Sequence, residues 1–366
     1  MNGAEWLDKN EYEDATRDLM VQAAETCEAA RAAGDLDLAL GAKAVELRIA
    51  RMLSLQQHCV VAAAEVLELW PAFARAAERG GDKTERRVIW GMKYAAGAAM
   101  DLPEIPLATI DQLVGVLGEM LTFWGKKPWA VWLLEARRAY IAGDRTGLAG
   151  YLEKVPPTIN RYTHFYEHTD CPGCAVQQLA EFLGPEAKPD DVELLLGPVL
   201  DAGRRFPNEP DDKRMILDLL FGDDPACAHA KVRGPALFAR VLARDGQWQR
   251  AVPYARRSEA AAEGCNHEQK IRAWLATLEI ARAQRDGDAI IGTWSKLAPA
   301  LDALEDPYEI LDGLLAGHAA LRALPEGDVA RAPIGAMADR CRALADRLDA
   351  RLAKPHHRGD VDARLG

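Results

Sequence analysis

The chain has 366 residues, 49% hydrophobic and 28% charged, which is the composition of a globular protein with ample apolar material for a core. A formal net charge of −11 opposes non-specific attraction to nucleic-acid phosphates or anionic lipid, so neither nucleic acid nor membrane is expected as a partner. No apolar run reaches the roughly 18 residues of a transmembrane helix, and the acidic start "MNGAEWLDKNEYEDATRDLM" lacks the layout of a signal peptide. Seven cysteines at irregular spacing make no disulfide framework, so a reducing cytoplasm is the simplest expectation.

Helix-forming residues dominate, β-branched runs are scarce, and no row of alternating strands occurs, so the expected class is all-α. The first helix–turn–helix signal is "AAGDLDLAL" at 32–40, in which glycine and aspartate separate two apolar helical stretches. Residues 54–125 are helical by pattern without a repeat signature. Their aromatics include Trp90, Tyr94 and Trp124. Trp124, beside Gly125 and Lys126, is the expected groove residue for a bound peptide, because large aromatics become anchors where they line a groove.

The stretch "KPWAVWLLEARRAYIAGD" follows. Trp129, Trp132, Leu133, Ala136 and Tyr140 fall on one face of a 3.6-residue period, which predicts a core face. Pro128 suits the first turn of that helix and Gly143 its end. A second turn, "IAGDRTGLAG", spans 141–150.

Residues 161–174 hold the densest chemistry in the chain. His164, His168, Cys171 and Cys174 include the ligand types of a closed tetrahedral zinc site, and a helix would place the two histidines one turn apart on one face. A structural zinc is therefore one expectation, although all four ligands in eleven residues is crowded. His164-x-x-Glu167-His168 also fits an inverted zinc-hydrolase pattern, with Glu167 taking a proton from zinc-bound water. The downstream glutamate and α+β fold of such enzymes are not evident. Cys171-x-x-Cys174 at a helix N-terminus offers a redox pair, but no strand precedes it. The plainest reading is a junction between helices, with the histidines ending one and Pro172 in the first turn of the next.

Two more apolar helices, with Val176, Leu179, Ala180 and Leu183 and then Val192, Leu195, Leu196 and Val199, come next. Cys227-x-His229 and Cys265-x-His267 read as equivalent positions of related units rather than ligands. The carboxylate pairs Asp190-Asp191, Asp211-Asp212 and Asp223-Asp224 read as helix caps and first-turn charges. Arginines at 204–205 and 256–257 read as solvated helix faces. Further turns occur in "ARDGQWQRAV" (243–252) and "QRDGDAIIGTW" (284–294). Phosphate-binding loops, a dinucleotide fingerprint and a G-x-S-x-G elbow are all missing from the sequence.

The four turns share a design. Five residues beyond Gly34, Gly143, Gly246 and Gly287 come Ala39, Leu148, Ala251 and Gly292, three of the four small, so that glycine supplies the tight turn and a small residue lets two helices approach. Gly246-x-Trp248-x-x-Ala251, preceded by Ala239, resembles the core of a tetratricopeptide (TPR) repeat, and "GDLDLAL" is similar with Leu36 in the aromatic slot. The spacing between turns exceeds that family's period of about 34 residues, so the repeats are irregular. The resemblance implies a TPR-like α-solenoid of stacked antiparallel helix pairs. A single array is expected over 1–352, with sub-blocks 1–100, 107–205 and 211–352, and the polar stretch 353–366 is expected to be a flexible tail. What the resemblance implies for function is a non-catalytic scaffold for a protein or peptide partner, passive or regulatory. No cofactor beyond the zinc is called for.

Overall fold

The computed structural model describes residues 5–7, 16–53, 55–76, 82–126, 128–154, 180–184, 187–200, 232–265 and 267–366. Among these the regular structure is entirely helical, with no strand. The all-α expectation holds. The described residues fall into two compact units, one ending at Ile141 and the other beginning at Ala142.

The first unit contains α1 (Arg17–Ala33), α2 (Leu36–Met52), α3 (Gln56–Arg75), α4 (Asp82–Asp101), α5 (Leu107–Phe123) and α6 (Trp129–Ile141). Each helix packs on the next, and packing also skips one: α2 meets α4, α4 meets α6, and α3 meets α5. Helices therefore alternate between two layers, with α2, α4 and α6 in one. At the first turn, Thr16 caps α1 by accepting from the Leu19 amide, and Gly34 ends it at φ 76°. Asp35 then caps α2 through the Leu38 amide. Ala39 is fully buried where the helices meet, as close packing after the turn requires.

α2 is the centre of this unit and is buried along nearly its whole length. It nevertheless carries Lys43, whose side chain is 2% exposed. The ammonium lies 2.6 Å from Glu46 Oε2 and 2.8 Å from Glu65 Oε2. Glu46 is equally buried, and its other oxygen lies 2.6 Å from His58 Nε2. Burial pushes the Lys43 pKa down, but hydrogen bonds to Glu46 and Glu65 more than offset it and leave it above the ordinary lysine value.

The second unit holds α7 (Arg145–Lys154), α8 (Pro189–Leu200), α9 (Gly234–Arg244), α10 (Trp248–Ala262), α11 (His267–Gln284), α12 (Gly287–Asp302), α13 (Pro307–Arg322), a short 3₁₀ turn (Val329–Arg331), α14 (Ile334–Asp349) and α15 (His357–Leu365). α9, α11 and α13 pack side by side, each joined to the next through the intervening helix. Gly246 turns α9 into α10 at φ 80°, with Ala239 and Ala251 fully buried across the pair.

The fourth predicted turn is built differently. Gly287 begins α12, and the left-handed residue is Arg285 at φ 57°. Asp286 caps α12 through the Ala289 amide, and Gly292 is exposed rather than wedged between helices. Close approach falls instead at Gly313 and Gly317 of α13, which lie against Leu301 and the Trp294 ring of α12.

The expected flexible tail is a helix. Asp349 accepts hydrogen bonds from the amides of His356, His357 and Arg358, each at 2.9 Å, and so starts α15. Val361 and Leu365 are buried beneath it. Arg358 is tied to Asp346 and Asp362. Local composition concealed this helix because its cap comes from the end of the preceding one.

Candidate functional site

Trp124, expected in a groove, is buried. It follows α5 and packs against Trp70 and Phe73 of α3 and its neighbour Phe123, with ring centroids 5.4, 6.1 and 5.7 Å away. Four aromatic rings from two helices shield one another there, which explains why the indole is not on an open wall. His164, Glu167, His168, Cys171 and Cys174 lie outside the described residues, as do Cys227 and His229. Among the described residues, no group of three or more histidine, cysteine or acidic side chains is arranged to hold a metal ion. Cys265 is half-buried and donates to the Ala261 carbonyl, while His267 opens α11 and is exposed.

The exposed aromatics are elsewhere. Trp90 on α4 is 38% exposed and meets Tyr94, one turn on, edge to face at 5.8 Å. Trp90, Tyr94, Gly97 and Asp101 recur every three or four residues and so form one stripe of α4. Asp101 is ion-paired with Arg137 of α6. A Cβ at Gly97 would lie 3.7 Å from Arg137 Nη1, which fixes where the stripe meets α6. Three residues past Arg137, Tyr140 is 36% exposed. Of the face expected to be buried on α6, Leu133 and Ala136 are buried together with Ala130, Leu134 and Ile141, whereas Tyr140 is exposed. From Trp90 to Asp101 the stripe runs roughly 16 Å at helical rise. Its helical spacing was legible in the sequence. Its exposure was not.

The second unit carries a different feature, a seam of guanidinium and carboxylate groups across α9, α11 and α13. Arg240 makes a two-pronged bond to Asp312 at 2.7 and 2.9 Å. Arg244 and Arg282 share Glu279, at 2.9 and 3.1 Å. Arg272 joins Glu181 at 2.7 Å and also pairs with Glu309. Burial would raise the pKa of Asp312, but the Arg240 charge and hydrogen bonds hold it well below the carboxylate range. Glu279 is likewise depressed, against burial, by Arg244, Arg240 and Arg282. Each carboxylate of this seam already faces a guanidinium. The seam ties three helices together.

No protein-family model matches the chain, and neither the curated proteins nor the solved structures contain a match.

Proposed function

We propose that the protein is a TPR-like helical-repeat scaffold that binds a protein or peptide partner and catalyses no reaction itself. The observation that carries this reading is the Trp90–Tyr94 stripe of α4, continued by Arg137 and Tyr140 of α6. Trp90 and Tyr140 are exposed, with half-buried Tyr94 and ion-paired Arg137 between them, and Trp, Tyr and Arg are the residue types that dominate binding energy at interfaces. A rigid, preformed wall of stacked helices leaves most of the ordering cost to a flexible ligand. The turns at Gly34 and Gly246, each with a buried alanine beyond it, support the repeat reading.

An unbiased peptide-display selection on the full chain, followed by fluorescence anisotropy on the selected peptides, tests this. Trp90→Ala with Tyr94→Ala is expected to weaken binding at least tenfold, about 1.4 kcal/mol, with unchanged helicity. Selected peptides that bind the double variant as well as the parent refute the assignment of the stripe. Failure to select any peptide counts against the scaffold reading itself.

A further inference from the structure

In the first unit, α1 and α3 both pack against α2, and the contacts between α1 and α3 run along them in the same direction. Val21, Ala24, Glu28 and Arg31 share one face of α1 at spacings of three and four. His58, Val61, Glu65 and Glu68 do the same on α3. The two stripes are in register. Arg31 meets Glu68 at 3.4 Å at one end, and Val21, Ala24 and Glu28 close on His58 around a cavity of about 160 Å³ at the other. Glu46 of α2, held by Lys43, also lines the cavity. The result is a groove roughly 15 Å long, by ten residues of helical rise.

Its charge is unbalanced. Lys43 is taken up by Glu46 and Glu65, and Arg31 by Glu68. Glu25 and Glu28, which line the cavity, have no ion-pair partner among the described residues. The rims are apolar: Val21 is 53% exposed and Val61 63%. An acidic cavity with aliphatic edges matches a long cationic side chain, whose methylenes lie on valine while the head reaches carboxylate.

We infer that the α1/α3 groove is a docking site for a lysine- or arginine-bearing segment of a polypeptide partner, with one cationic head in the cavity bounded by Glu25, Glu28, Glu46 and His58. This rests on the scaffold reading and assigns it a partner chemistry on a surface separate from the aromatic stripe. Glu28 and Glu25 supply the attraction from α1. Val21 and Val61 receive the stem, and Glu46, already held by Lys43, gives the cavity a fixed acidic base.

The test uses the full chain and a fluorescein-labelled, amidated nonapeptide of three Leu-Lys-Ala repeats, with its Leu-Gln-Ala counterpart as the uncharged probe. Anisotropy is expected to show the lysine peptide binding at least tenfold more tightly than the glutamine peptide. Glu25→Gln with Glu28→Gln removes two exposed charges and is expected to weaken the lysine peptide at least tenfold. Val61→Ser, at constant charge, is expected to weaken it severalfold. Glu305→Gln with Glu326→Gln makes the same charge change on exposed residues of the second unit and is expected to leave affinity within twofold. Circular dichroism melts confirm that each variant folds. The inference is overturned if the lysine peptide fails to bind, if the groove variant binds it unchanged, or if the control variant loses as much. Display-selected peptides that depend on Trp90, alongside a lysine peptide that does not bind, sink this groove and leave the scaffold reading standing. No selected peptide at all sinks the scaffold reading.

Discussion

Replacing Lys43 with methionine removes the buried cation paired with Glu46 and Glu65 while nearly preserving side-chain volume. Glu65 is partly exposed and recovers water, but Glu46 is left buried with only His58 beside it. Breaking a buried ion pair costs about 3–5 kcal/mol, and the residual His58 contact places this case near 3 kcal/mol. At a slope of about 2 kcal/mol/M, the midpoint of urea unfolding drops by roughly 1.5 M. The measurement is hydrogen exchange by mass spectrometry along a urea series, read on peptides of α2, so that the first unit is followed by itself. The parent pair has a definite pH signature. The raised Lys43 pKa means its stabilisation is fully present below the ordinary lysine value and is lost only as pH rises through the higher, folded value. Converting Glu46 to leucine in the same chain should recover most of the loss, since an apolar pair replaces a stranded charge. A single-variant loss under about 1 kcal/mol, or a double variant no better than the single, refutes the claim that Glu46 depends on Lys43.

Gly317→Ala gains about 1 kcal/mol in helix propensity, yet its Cβ would stand 2.6 Å from Trp294 Cε3 and 2.7 Å from Cη2. Overpacking of about 1–3 kcal/mol should win, giving a net loss by thermal denaturation that Trp294→Leu relieves. Arg285→Gly should stabilise the second unit by about 1 kcal/mol, because an L-residue at φ 57° pays roughly 1–2 kcal/mol that glycine avoids. Equilibrium urea unfolding reads the sign. Asp349→Ala removes the carboxylate that starts α15, and should abolish amide protection across 357–365 while leaving α13 protected. In the parent, burial would raise the Asp349 pKa, but the amides of Arg358, His356 and His357 hold it below the usual carboxylate range. Its stabilisation is therefore present above the unfolded aspartate value and is lost as pH falls through the folded one. Exchange at low pH should show α15 loosening on that acid limb.

Much of the local design was legible in the residue order. Glycine beside aspartate marked turns because only glycine enters the left-handed region freely and aspartate oxygens accept from first-turn amides. Gly34, Gly143 and Gly246 adopt positive φ accordingly. The all-α class followed from helical periodicity and the scarcity of β-branched runs. Arg285 escaped this reasoning because Gly287 drew the expected turn two residues along, and α15 escaped it because Asp349 reaches forward seven residues or more. Periodicity also identifies which residues share a helical face, as it does for Trp90 and Tyr94 or for His58, Val61 and Glu65. Which faces are then covered depends on neighbouring helices that periodicity cannot assign. Trp124 is buried because α3 presents Trp70 and Phe73 to it, whereas Trp90 is left exposed among the described residues. Burial is a property of two surfaces meeting, and one stretch of chain describes only its own.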